Sequence, residues 1–274
     1  MPAWLEVQRG QAPLIVALPH TGTQIPHELE PRLVSPWLAR KDADWWVHLL
    51  YDFAPSLGAT TVRTAISRTF IDVNRDPSGV SLYPGQPTTD LCPITTFDGE
   101  ALYLPGLSPD PGEIRCRRIS HFDPYHAALK GEIARLRQCH DAVVIYDAHS
   151  IRSWVPRLFA GQLPQFNIGT HDGASCCEAL SRALEAVCMN SGSSHILNGR
   201  FKGGWTTRHY GRPGEGVHAV QMELACRSYL QEPPEAPQER NWPPPYDPAH
   251  ASRTRDILEQ VLQACLSFTA ARPW

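Results

Sequence analysis

The sequence predicts an α/β fold: a single-domain, three-layer sandwich whose mixed, mostly parallel central sheet is covered by helices on both faces. Two apolar runs, Leu14 to Leu18 (LIVAL) and the start of Val143 to Arg152 (VVIYDAHSIR), are short, as expected of strands buried on both faces. Between and after them apolar residues recur at helical spacing, so strands and helices alternate along the chain. The 274 residues suffice for one large domain, spanning 1–274, and show neither an internal repeat nor a convincing linker.

LIVAL is closed by Pro19 and delivers His20 to the strand end. Asp42 or Asp44 then precedes Val47, Leu50, Tyr51, Ala54 and Leu57, one face of a helix that Gly58 stops. Thr60–Arg63 and Thr69–Val73 are β-branched and short, which predicts two strands, the second running into Asn74 and Arg75. From Asp76 to Glu113 the chain is rich in proline, glycine and threonine, a long loop that Tyr83, Phe97, Tyr103 and several leucines should keep packed. Asp123-Pro124 reads as a helix start, with Leu129, Ile133 and Leu136 on its inner face. Asp172 is expected to cap a helix carrying Cys177, Leu180, Leu184 and Val187 inward, followed by a strand at Ser194–Leu197. The glycine-rich NGRFKGGWTTRHYG suggests a loop close to a ligand, and Gly216–Leu224 (GVHAVQMEL) alternates as a strand carrying Glu223 near its end. A last helix presents Leu258, Val261, Leu262, Cys265 and Phe268 on one face.

Composition narrows the function. No apolar run is long enough to span a bilayer, and the N-terminus lacks the pattern of a secretory signal, so a soluble cytoplasmic protein is expected. The net charge of −3, without a basic cluster, gives nucleic-acid binding no electrostatic support. Eight scattered cysteines with no C-x-x-C pair are expected to be reduced and mostly buried. No G-x-S-x-G, G-x-G-x-x-G or P-loop is present; Gly173-x-Ser175-x-Cys177 lacks the closing glycine, and neither Cys92 nor Cys176 has a nucleophile signature.

His20 and His149 each sit where a predicted strand ends, and in parallel sheets ligands collect outside those ends. Two histidines and one acid make a catalytic metal set of the zinc type. Asp44 is preferred over Asp42 as the acid, although taken alone Asp44 is better explained as a helix cap; Asp147 could orient a ligand from behind. Glu223, on an apolar strand, is the candidate proton shuttle, against the alternative of a structural pair with Arg227. In SRTFIDVNRD, Arg68 and Arg75 flank a short predicted strand with Asn74 beside the second, a donor array for a carboxylate unless Arg75 pairs with Asp72 or Asp76.

The stretches LPHTGTQIP, DADWWVHLLYDFAPSLGA, SRTFIDVNRDPSG, LYPGQPTTDLCP, DAHSIRS, LFAGQLPQFNIGT, NGRFKGGWTTRHYG and GVHAVQMEL, in order, resemble the N-formylglutamate amidohydrolase family of histidine degradation. The resemblance implies a fold like that of the zinc carboxypeptidases and aspartoacylases and zinc-dependent cleavage of an N-acyl amino acid. By it, His20 and His149 match the zinc histidines, Glu223 the catalytic glutamate, Asn74 and Arg75 the carboxylate clamp, and Arg68 falls near the arginine that polarises the scissile carbonyl. Zinc carboxypeptidases place a glutamate three residues after the first histidine; Thr23 stands there, so the acidic ligand must come from elsewhere. Formylglutamate carries two carboxylates, and Arg152, Lys202 or Arg208, with His209 as neighbour, are expected to hold the second. Rival expectations are the same chemistry on another acyl group, as in a desuccinylase, aspartoacylase or carboxypeptidase, or a binding protein without turnover.

Overall fold

The computed structural model describes residues 2–271 and contains one seven-stranded mixed sheet. The strands are β1 Leu5–Gln8, β2 Leu14–Leu18, β3 Thr60–Thr64, β4 Val143–Ile151, β5 Phe166–Gly169, β6 His195–Leu197 and β7 Val217–Ala225, ordered β1-β3-β2-β4-β7-β5-β6 across the sheet. β3, β2, β4 and β7 run parallel, β1 is antiparallel to β3, and β5 is antiparallel to β7 while parallel to β6. The C-terminal ends of four neighbouring strands therefore share one edge of the sheet. β2 and β4 are buried along their whole length, as their unbroken apolar runs require.

Helices cover both faces. Leu14, Val16, Val144, Tyr146, Val220 and Met222 pack into a core shared with α2 Val47–Leu50, α5 Glu178–Asn190 and α7 Pro248–Ala271. Ile15, Val62, Val143, Ile145 and Ala219 face the other way, onto Leu129, Ile133 and Leu136 of α4 Asp123–Arg137 and onto Leu91, Leu102 and Tyr103 of the long loop. That loop is packed, as its apolar residues predict. The remaining α-helices are short: α1 Leu38–Lys41, α3 Pro111–Arg117 and α6 Trp205–Tyr210.

Several elements depart from the sequence reading, each for a local reason. Thr69–Val73 is no strand: the Ser67 C=O accepts from the Phe70 N–H, the Ser67 hydroxyl from the Thr69 N–H, and the Asp72 carboxylate from the Asn74 N–H. These side-chain bonds fold the segment into turns despite its β-branched content. Asp123-Pro124 does open α4, with proline in its first turn, but Asp123 caps nothing: the chain arrives already wound, through α3, which Asp110 caps by accepting from the Glu113 N–H, and a π turn, Arg118–Phe122. The π turn sits just before Pro124, which lacks the N–H that a regular helix needs. Asp172 has φ 54° and caps nothing; α5 starts after Cys177. The predicted 47–57 helix is one α turn followed by a 3-10 turn, Ala54–Leu57, ended by Gly58 at φ 75°. NGRFKGGWTTRHYG includes α6 rather than being loop throughout.

Candidate metal and active site

Each of the four parallel strands delivers side chains to the common edge. β2 leads to His20, β3 into the turns that carry Arg68, Asp72, Asn74 and Arg75, and β4 and β7 present Asp147 opposite Gln221 and His149 opposite Glu223 on one face of the sheet. Asp44 comes from the segment between α1 and α2. Its N–H donates to the His20 C=O (2.9 Å), and its carboxylate accepts from the Ser150 N–H (3.2 Å). It is no helix cap: the residue capping α2 is Trp46, with no side-chain bond.

Asp44 Oδ2 lies 3.1 Å from His149 Nδ1 and 3.8 Å from His20 Nδ1, and one ligand atom from each of the three residues falls within 4.8 Å of the others. Two ligands about 2.0–2.1 Å from a tetrahedral zinc stand roughly 3.3 Å apart, so the two shorter separations bracket what such an ion needs. The opposite ring nitrogens are held from behind. His20 Nε2 is 2.6 Å from Asp72 Oδ1, and His149 Nε2 is 3.1 Å from Asp147 Oδ2, which also accepts from Asn74 Nδ2 at 2.9 Å. A proton on each Nε2, donated to these carboxylates, leaves both Nδ1 lone pairs free for a cation.

Two further observations fit a cation. His20 Nδ1 and Asp44 Oδ1 are buried without hydrogen-bond partners among the described residues. The buried carboxylates Asp44, Asp72, Asp147 and Glu223 outnumber the adjoining guanidiniums of Arg68 and Arg75. The electrostatics follow. Burial, with Arg68 nearby, pushes the His20 pKa down to about 4 and keeps the ring neutral, as a ligand must be. Burial opposes charging His149 too, yet Asp147 and Asp44 outweigh it and raise that pKa well above the ordinary value. The surplus negative charge thus favours positive charge at this position.

Beside the cluster is a cavity of about 50 Å³ lined by His20, His149, Arg68, Arg75, Glu223 and Arg200, among others. Its enclosed part has room for a few water molecules, and beyond that it opens to solvent. Glu223 is buried, its Oε2 accepting from Gln221 Nε2 (3.1 Å), and burial pushes its carboxyl up to about 7. Arg227 is not its partner; that guanidinium donates to the Ser153 hydroxyl. Arg68 donates to Asp72 Oδ2 (2.7 Å), stacks on the Phe97 ring and reaches 3.7 Å from Asp44.

A family model of N-formylglutamate amidohydrolase matches residues 12–230. The chain belongs to the N-formylglutamate amidohydrolase family. Two relatives, from Pseudomonas putida and Pseudomonas aeruginosa, are each named N-formylglutamate deformylase. Each is 43% identical over 270 residues, 98% of this chain and 97% or 98% of the relative. The crystal structure of an N-formylglutamate amidohydrolase from Ralstonia eutropha superposes with a TM-score of 0.79 at 22% identity, over 98% of this chain and 99% of that one, so the family fold is shared. An Agrobacterium tumefaciens protein follows at TM-score 0.70 and 17% identity, over 96% of this chain and 94% of that one.

Not every residue expected of an N-formylglutamate amidohydrolase site lies in this cavity. Arg152 is bound into a separate network with Asp42 (3.2 Å) and Asp98 (2.8 Å), which also occupies Asp42 and removes it as a ligand alternative. Lys202 pairs with Asp172 (3.0 Å), and exposed His209 stacks on Trp205. Arg208 donates to the Gly203 C=O and lies over the Tyr83 ring without lining the cavity. Asn74 lines it, but its amide is committed: Nδ2 to Asp147 and the neighbourhood of His149, Oδ1 to the Thr206 N–H. Asn74 therefore orients Asp147, the carboxylate behind His149, leaving Arg75 as the cationic half of the expected clamp. Asp72 was expected only as an ion-pair partner of Arg75, which it is at 3.7 Å, and Tyr83, Gln221 and Arg200 were not expected in the site. Asp72 had a readable signal, an acid inside an apolar run between two arginines; Arg200 had none beyond its glycine-rich block.

Proposed function

We propose that the chain, as one hydrolase domain, is a metal-dependent amidohydrolase that cleaves N-formyl-L-glutamate to formate and L-glutamate. Membership in the family and the deformylase names of its relatives support the substrate class. One observation carries the chemistry: two Nδ1 atoms and the Asp44 carboxylate converge, backed by Asp72 and Asp147, next to a buried glutamate. His20, Asp44 and His149 would hold the cation, and a donor set of two imidazoles and a carboxylate suits zinc. A bound divalent cation supplies Lewis acidity and brings the pKa of a water to about 7.

The chain's own groups do the rest. Glu223 takes the proton from the attacking water and returns it to the amide nitrogen as the C–N bond breaks, so formate and an amine leave. The burial that pushes Glu223 up to about 7 suits it to both transfers. Arg68, fixed by Asp72 and Phe97, stabilises the negative charge that grows on the formyl oxygen. Arg75 takes a carboxylate of the substrate. A substrate that presents formyl to the cluster needs only a small acyl subsite, so preference for formyl over acetyl or succinyl is expected. Eight unpaired cysteines are in keeping with a reducing, cytoplasmic setting, and the family resemblance suggests a role in histidine breakdown.

Elemental analysis of the purified protein, with formate release measured before and after chelation, tests the reading. About one metal ion per chain, activity lost on chelation and restored by zinc, and turnover of acetyl and succinyl analogues lower by orders of magnitude are expected. Full activity in the chelated, metal-free protein would overturn the metal-dependent mechanism. Faster turnover of the larger acyl groups would overturn the substrate assignment.

A further inference from the structure

We infer that Arg200 is the residue that reads the side-chain carboxylate of the substrate, in the cavity beside the metal cluster. The inference rests on the proposed reading of the site as one for an N-formyl amino acid with two carboxylates.

Among the site's arginines, Arg68 and Arg75 already share a carboxylate, Asp72, at 2.7 and 3.7 Å. Arg200 forms no ion pair among the described residues. Its Nε donates to the Leu158 C=O and its Nη2 to the Pro87 C=O, both neutral acceptors, and neither contact uses Nη1. The guanidinium lies against two rings, Tyr83 at 5.1 Å and Phe201 at 5.3 Å. It is only partly solvated and lines the same cavity as Glu223 and His149. A half-buried, ring-stacked arginine with no anion of its own is a site prepared for one.

Its place fits the second carboxylate rather than the first. In an N-formyl amino acid the α-carboxylate is attached one carbon from the amide nitrogen, so it must lie near the reacting centre. Arg75 is tied through Asp72 to His20 and serves there. The side-chain carboxylate of glutamate lies two methylenes further out. Leu158 and Phe201, beside Arg200 in the cavity wall, offer the apolar surface those methylenes need. Tyr83 holds this part of the wall together: its hydroxyl donates to the Gly203 C=O and accepts from the Lys202 N–H, joining the long loop to the segment that carries Arg200.

The test compares two ligands that differ only at that end, N-formyl-L-glutamate and N-formyl-L-glutamine. Their dissociation constants are measured by calorimetry on zinc-loaded Glu223→Gln protein, with and without Arg200→Met. Loss of one partner of a desolvated charge pair predicts formylglutamate binding weaker by roughly 100-fold, with formylglutamine changed less than about threefold. Equal loss for both ligands, or no loss for either, overturns the assignment. If Arg200→Met fails to fold, Arg200→Lys keeps the charge and removes the planar fork, and a tenfold selective loss for formylglutamate is expected; an unchanged preference again overturns it. Turnover by the unmutated enzyme is scored separately, so a protein that binds with this preference yet releases no formate would refute the proposed activity and leave the role of Arg200 standing.

Discussion

Replacing Glu223 with glutamine is the most direct probe of the chemistry, because the structure separates what it should change from what it should not. The carboxylate is buried and accepts a hydrogen bond from Gln221, whose Nε2 donates to Oε2 at 3.1 Å. Glutamine has the same size, keeps a carbonyl for that bond and cannot shuttle a proton. A positioned general acid–base contributes about 10²–10⁴ in rate, which is about 3–5 kcal/mol of barrier at 1.36 kcal/mol per tenfold. We therefore expect kcat for formate release to fall by about that factor, with KM changed little and zinc content unchanged. Burial also holds the carboxyl up at about 7, so removing a reluctant charge should leave the melting temperature level or raise it. Steady-state kinetics, metal analysis and thermal unfolding on one preparation decide the matter. A kcat within tenfold of the parent, with metal bound and the fold intact, would refute the assignment of Glu223 as the proton carrier.

Three other perturbations probe the scaffold. Asp147→Asn removes the carboxylate behind His149 Nε2, and zinc affinity measured by competition with a chelator should fall about 10- to 100-fold. Gly204→Ala would put a Cβ 2.5 Å from Asn74 Nδ2 and 2.7 Å from its Oδ1, forcing that amide off Asp147, the carboxylate behind His149; a stability loss of about 1–3 kcal/mol and at least tenfold lower activity are expected, and a fully active variant would exclude this role for Asn74. His126 lies outside the metal cluster, bonded to the Val73 C=O and the Tyr210 hydroxyl, and burial pushes its pKa from 6.5 down to about 4. The unfolded chain takes up that proton first, so this stability is complete above pH 6.5 and is lost as pH falls towards 4, by about 2 kcal/mol between pH 6.5 and 5 at 1.36 kcal/mol per unit. Denaturant titrations of His126→Gln should show the difference between pH 7 and pH 5 narrowed by about that amount, and an identical difference would count against it.

The parts legible in the sequence were those whose signal is local and strong. LIVAL and VVIY announce β2 and β4 because parallel strands in the middle of a sheet are apolar throughout, and the stripe from Leu258 to Phe268 announces α7. His20, Asp44 and His149 could be paired from a distance because two histidines ended predicted parallel strands, which must open onto one edge. What could not be read was decided by single side-chain bonds or by partners remote in sequence. β1 and β5 have only four residues each and exist through pairing with β3 and β7. Arg152 looked available for substrate until Asp42 and Asp98 claimed it, and nothing near residue 152 reveals that Asp98 will arrive. Arg200 is the converse case, an arginine distinguished by making no ion pair among the described residues.

Asp72 shows how the misread segment becomes the frame of the site. Burial alone would raise its carboxyl, yet Arg75, His20 and Arg68 together hold it well below the ordinary carboxylate range. One oxygen takes His20 Nε2 at 2.6 Å and the Asn74 N–H at 2.9 Å; the other takes Arg68 at 2.7 Å, with Arg75 at 3.7 Å. A side chain in a regular strand could not gather its own neighbours at 68, 74 and 75 while also reaching the end of β2. The turns after β3 can, because Ser67 and Asp72 replace ladder hydrogen bonds with their own. The geometry that hides this segment from a reading by propensity is thus the geometry that fixes the His20 imidazole and two arginines around a single buried charge.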